Sequence, residues 1–135
     1  MRDARSNGWG SKAALVLRIW GTYLRVRIGL ARRPLPELVR ELSPPGRPVA
    51  AAARPRWLGR AVYRSTGVGR LHPRCLTSAL IHYRLLRASG VPASLVIGLE
   101  RDPSSKDAHA WVEVDGVDVG PPPGRRGHEE LARYP

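Results

Sequence analysis

The feature that most constrains this chain is a helix followed by a tight hairpin in its second half. Cys75 to Ala88 carries apolar residues at Leu76, Ala79, Leu80, Tyr83 and Leu86, and Ile81 and Leu85 widen that face. The spacing is helical. Gly90 is a natural C-terminal stop before Val91-Pro92. Ser94 to Leu99 reads as a strand and Arg101 to Lys106 as a polar loop. Ala108 to Val114 alternates, and Asp115-Gly116 predicts a type I′ turn into Val117-Asp118-Val119. Gly-Pro-Pro-Pro-Gly at 120–124 ends the sheet, because proline cannot donate to a ladder. A short helix is expected near Glu129 to Arg133. The class is therefore α+β, with an antiparallel sheet.

The first half reads as helices. Lys12 to Ala31 predicts one helix with Ile19, Trp20, Tyr23, Leu24 and the stem of Arg27 on one side, after a loose tail at 1–11. A membrane span is the competing reading. Arg18, Arg25 and Arg27 oppose it, since each charge at mid-bilayer costs about 2.5–3.5 kcal/mol on insertion scales. A helix lying in a membrane interface stays open as an alternative. Arg32-Arg33-Pro34-Leu35-Pro36 stops the helix, and Pro36 suits the first turn of a short one from Glu37 to Leu42. Ser43 to Pro55 reads as a linker, and Trp57 to Ser65 as a short helix closed by Gly67 and Gly69. Two segments follow: a basic helical N-terminal extension with its linker at 1–55, and a domain at 56–135.

Charge divides along the same line. The chain has 135 residues and a net charge of +12. Residues 1–74 hold fifteen Arg and one Lys against three acids, or +13; residues 75–135 hold six Arg and one Lys against eight acids, or −1. Arg outnumbers Lys 21 to 2. A GC-rich genome explains such a bias, and so does a docking face for an acidic peptide or partner, since Arg grips carboxylates bidentately. No basic–aromatic module points to nucleic acid. The first ten residues are polar and carry both signs of charge, unlike a signal peptide.

Cys75 is the only cysteine. That excludes an intrachain disulfide and a thiolate-rich zinc site, and a lone thiol fits the reducing cytosol. No cofactor is implied. Cys75 opens the predicted helix, and His109 follows 34 residues later on a predicted strand. Helix-end amides and a nearby imidazole both lower a thiol's pKa, and the thiolate is the nucleophile. Alternation puts Ala108, Ala110, Val112 and Val114 on the core face, with His109, Trp111 and Glu113 on the other. A helix bearing Cys75 is expected to cover the His109 side. His82 lies two helical turns past Cys75, too far to be its base. His82 and His72 read as structural or solvent-facing.

The set Arg74-Cys75-Leu76, Leu85-Leu86-Arg87-Ala88-Ser89-Gly90-Val91-Pro92-Ala93, Val96-Ile97-Gly98-Leu99 and Ala108-His109-Ala110-Trp111-Val112-Glu113 with Asp115-Gly116 resembles the leader peptidases of lasso-peptide biosynthesis. These are papain-like, transglutaminase-like cysteine proteases, similar to the processing protein of microcin maturation. The likeness runs from about Leu58 to Val119. Trp20 to Leu42 also resembles the stand-alone form, in which leader recognition belongs to a separate protein. The resemblance implies removal of a leader from a ribosomally made precursor peptide. Cys75 would be the nucleophile and His109 the base. The implied partners are the precursor, a leader-recognition protein and a ring-closing cyclase.

The resemblance also implies an Asp on the strand after His109, about a dozen residues on, where Pro121 stands here. Asp118 is the nearest acid and the candidate third member. Pairing Val114 with Val117 sets Asp118 opposite Glu113, about 13 Å along the strand from His109 at a ~3.3 Å rise. A Cys–His dyad, a backbone carbonyl as orienter and a degenerate site are the alternatives.

Overall fold

The computed structural model describes residues 6–43, 55–66, 75–88, 90–100, 108–120 and 128–135. Four helices precede four strands: α1 (Ser6–Arg32), α2 (Leu35–Glu41), α3 (Pro55–Thr66), α4 (Cys75–Ala88), β1 (Ala93–Glu100), β2 (Ala108–Val114), β3 (Val117–Gly120) and β4 (His128–Tyr134). The strands form one antiparallel sheet in the order β3-β2-β1-β4.

Helix α4 begins at Cys75 and ends at Ala88, as the apolar spacing predicts. Gly90 takes a φ of 80°, its N–H donating to the Arg87 carbonyl at 3.1 Å and that of Val91 to Leu86 at 3.0 Å. These two bonds close the helix end, and a left-handed residue is needed between them. Asp115 and Gly116, at φ 53° and 75°, make the expected turn. The β2–β3 register pairs Val114 with Val117 and Glu113 with Asp118, again as expected. Pro36 lies in the first turn of α2. Helix α3 starts at Pro55, the expected end of the linker, and runs to Thr66; linker residues 44–54, the glycines at 67 and 69, the loop at 101–106, His72 and residues 121–124 fall outside the described residues.

One core lies between the sheet and the helices. Leu80, Ile81, Tyr83 and Leu86 of α4 are fully buried with Leu95 and Val112 of the sheet and Val62 of α3, and Leu58 of α3 is buried beside them. Each such aliphatic side chain contributes roughly 1.5–3 kcal/mol. Ile19 and Val26 of α1 and Leu38, Val39 and Leu42 in and after α2 belong to the same core. The helices of the basic segment are thus packed into it. The buried stripe of α1 keeps the expected Ile19 and Tyr23 but otherwise differs: Val26 is covered while Leu24 is 60% exposed, and the helix begins at Ser6. A stripe through Leu15, Ile19, Val26 and Leu30 follows the helical repeat more closely than one through Trp20 and Leu24. No helix among the described residues is long and apolar enough to cross a membrane.

The C-terminal segment is a strand, where a helix was expected. Glu129, Glu130, Leu131 and Ala132 are good helix formers, but β1 has an open edge whose backbone groups need partners. β4 supplies them from Leu95↔Tyr134 to Glu100↔His128. Tyr134 packs on the core, and the Tyr83 hydroxyl donates to the Pro135 carbonyl at 3.1 Å. Tertiary pairing overrides local propensity here.

His82 is fully buried where three elements meet. Its Nε2 lies 2.7 Å from the Pro55 carbonyl oxygen of α3, and its Nδ1 lies 3.3 Å from that of Gly120 at the end of β3. The shorter contact suits an Nε2–H donor. His82 is therefore a structural tie.

Candidate active site

Helix α4 packs its apolar face on the Ala110–Val112 side of the sheet, so it covers the core face and not the His109 face. The thiol meets the imidazole by another route. Cys75 stands at the very start of α4 and His109 one residue into β2, so both lie at one end of the helix–sheet layer. Cys75 Sγ is 3.9 Å from the Ala108 carbonyl oxygen. Its side chain is hydrogen-bonded to His109.

This surrounding lowers the thiol's pKa. The hydrogen bond with His109 contributes most; burial opposes it, while backbone hydrogen bonds at Ala110 and Leu76 and the charge of His109 assist. Leu76 is the second residue of α4, so one of those groups is a helix-start amide. Such a pair can hold a thiolate at near-neutral pH and pass its proton to and from the imidazole.

The other face of β2 holds His109 in place. The His109 and Trp111 rings stack, 5.9 Å between centroids and 20° between planes. Trp111 Nε1–H donates to Glu113 Oε1 at 3.0 Å, and Glu113 Oε2 pairs with Arg133 of β4 at 2.9 Å. Arg133 also pairs with Glu130 at 2.8 Å. The opposite strand makes room for the indole at Gly98, which pairs with His109. A Cβ there would lie 2.8 Å from Trp111 Cη2 and 2.8 Å from the Glu129 carbonyl oxygen. Period-two alternation places Trp111 and Glu113 beside His109; reading 129–133 as a helix hides Arg133.

Asp118 lies elsewhere. It pairs with Glu113, four residues along β2 from His109, or about 13 Å at the strand rise. Its Oδ1 accepts from the Gly120 N–H at 2.8 Å, and its charge acts on His82. The structure thus brings Cys75 and His109 together and sets Asp118 at the His82 end of β3.

A thiol at a helix start, hydrogen-bonded to a strand histidine on an α+β frame, makes a candidate thiol–imidazole site. The sequence matches the transglutaminase-like superfamily over residues 14–132, and the chain belongs to it. The match runs through α1 and α2 as well as the thiol half. No curated protein and no solved structure gives a significant match. Superfamily membership points to thiol chemistry on amides, either cleavage or exchange.

Proposed function

We propose that this protein is a cysteine peptidase that removes the leader from a ribosomally synthesised precursor peptide during lasso-peptide maturation. The observation that carries this reading is the Cys75–His109 hydrogen bond at the start of α4. The likeness of the segments around both residues to lasso leader peptidases supports the substrate class. Cys75 attacks the scissile carbonyl as thiolate, and His109 takes the thiol proton and returns it to the leaving amine. The backbone N–H of Cys75, at the helix start, is the oxyanion donor. The pair works as a dyad, steadied by Trp111, with Asp118 outside it. The partners are the precursor, a separate leader-recognition protein and the cyclase.

Incubation with the precursor encoded beside it and with its leader-recognition protein, read by peptide mass, is the test. Expected are a leader and a core fragment from the wild type and intact precursor from Cys75→Ala. Cleavage by a folded Cys75→Ala protein would exclude the thiol mechanism. The placement of Asp118 favours one alternative, a degenerate scaffold that binds a peptide or partner protein. That reading predicts intact precursor from the wild type as well. A product joined to an added amine, with no free acid, would instead mark an amide-exchange enzyme.

A further inference from the structure

Between α1 and α4 lies an open cavity of about 250 Å3, lined by Arg18, Gly21, Thr22 and Arg25 from α1 and by Arg84 and Ala88 from α4. Three arginines line this one concavity. Arg25 reaches Glu41 Oε1 at 3.3 Å, but Glu41 also holds Arg33, so one carboxylate is divided between two arginines. Arg84 donates to the Leu42 carbonyl oxygen at 3.4 Å, a long contact. Burial, then Arg25 and Arg18, make its charged form less favourable than usual, with Glu41 opposing. Like charges gathered in one open recess repel one another, and an entering anion offsets that repulsion. A carboxylate matches guanidinium geometry bidentately.

The neighbouring surface adds a second requirement. Leu17, Leu24 and Ile28 are 73%, 60% and 54% exposed. With Gly21 they follow an i, i+4, i+7, i+11 stripe on the side of α1 away from the buried Ile19 and Val26. A ligand suited to both features carries an anionic group beside apolar ones. Free phosphate has no use for the stripe. A flat membrane meets the stripe but cannot reach into a recess walled by α4. An acidic, amphipathic peptide segment satisfies both.

We propose that this face of α1 docks an acidic peptide segment, one carboxylate side chain entering the cavity among Arg18, Arg25 and Arg84 and apolar neighbours of that segment lying along Leu17, Leu24 and Ile28. The site is separate from the thiol. Arg84 is nine residues from Cys75 along α4, about 14 Å at the helical rise of 1.5 Å per residue. It does not rest on the chemistry proposed for Cys75.

The test is fluorescence anisotropy with a short labelled peptide that alternates leucine and glutamate pairs, beside a twin with glutamine for every glutamate. Arg18→Ala removes one guanidinium. Gly21→Leu blocks the mouth of the cavity without changing charge; a Cβ at Gly21 meets nothing within 4 Å, and leucine is the better helix former. Expected is saturable binding of the glutamate peptide, weakened at least about tenfold by the glutamine exchange and by either variant, as loss of a charge-assisted hydrogen bond implies. Arg27→Ala and Arg32→Ala, at exposed positions outside the cavity lining, leave it unchanged. Equal binding of the glutamine twin would overturn the proposal. So would wild-type affinity in both Arg18→Ala and Gly21→Leu, displacement of the peptide by equimolar inorganic phosphate, or tighter binding to phosphatidylglycerol vesicles than to the peptide.

Discussion

His109 stacks on Trp111 two residues along the same strand face, and the indole is itself tied to Glu113, 3.0 Å from its Nε1. In Ser–His–Asp and related triads a buried carboxylate orients the imidazole by a hydrogen bond. Here a ring face does part of that positioning. A stacked neighbour fixes the plane of the imidazole but leaves its nitrogens to other partners. The arrangement depends on Gly98, because any larger residue would push into the indole.

The first prediction concerns this positioning. Trp111→Phe keeps an aromatic face but loses the hydrogen bond to Glu113, and Glu113→Ala releases the indole from the other side. Both are expected to slow alkylation of Cys75 by iodoacetamide near neutral pH several-fold, with little loss of thermal stability in Glu113→Ala. Glu113→Gln keeps an oxygen for the indole N–H and should stay near wild type. Its partly exposed ion pair with Arg133 is worth only about 0–1 kcal/mol. Gly98→Ala should resemble Trp111→Phe, and alkylation by mass spectrometry with parallel melting curves separates positioning from unfolding. Unchanged alkylation in all of them would leave the stack without a role.

The thiol's own titration is the second. Its folded pKa is depressed, chiefly by the hydrogen bond with His109. The pH of half-maximal alkylation should therefore fall below the ordinary thiol value of about 8.5. His109→Ala removes the main cause and leaves burial, which raises the value, against the backbone hydrogen bonds at Ala110 and Leu76, which lower it, so the midpoint should move up toward the ordinary one. The linked stability has the sign of a depressed acid: it is present above the unfolded thiol's pKa and is lost as pH falls through the folded one. A midpoint that His109→Ala does not move would remove the imidazole from the thiol's environment.

Much of this was legible in the sequence because the signals were local and periodic. The α4 boundaries followed from apolar spacing and Gly90, and the hairpin register from Asp115-Gly116. The pairing of Asp118 with Glu113 followed from that register. What escaped depended on long-range packing. Nothing local in Glu129 to Arg133 reveals that β1 has a free edge. Nor does strand alternation reveal that α4 lies on the core face and reaches His109 only from its end. The α1 stripe was misplaced by about one residue because that helix has apolar residues on both its covered and its exposed sides.

Asp118 gives a third prediction. Its carboxylate accepts from the Gly120 N–H and lies along the strand from His109. Asp118→Ala should leave Cys75 alkylation and precursor cleavage within about threefold of wild type. It should cost about 1 kcal/mol of stability for the lost hydrogen bond. Asp118→Asn keeps an acceptor and should recover most of that loss. A fall of several orders of magnitude in cleavage by a folded Asp118→Ala protein would show that the carboxylate reaches the imidazole during turnover.

The last prediction follows from His82. Burial lowers its pKa, while the carbonyls of Pro55 and Gly120 and the charge of Asp118 oppose the shift without cancelling it. The folded protein therefore holds the imidazole neutral at pH values where the unfolded chain, with a pKa of about 6.5, already takes up a proton. Below that pH the unfolded state binds more protons, so stability falls as pH drops from about 6.5 and the loss levels off beneath the folded pKa. The elements that would loosen are the ones His82 ties, α3 through Pro55 and the end of β3 through Gly120. His82→Gln, which can donate to one carbonyl and never titrates, should be less stable than wild type near neutral pH. Its stability should also depend less on pH just below 6.5. Urea unfolding at a series of pH values reads both. Parallel pH profiles for the two proteins in that window would show that another group controls it.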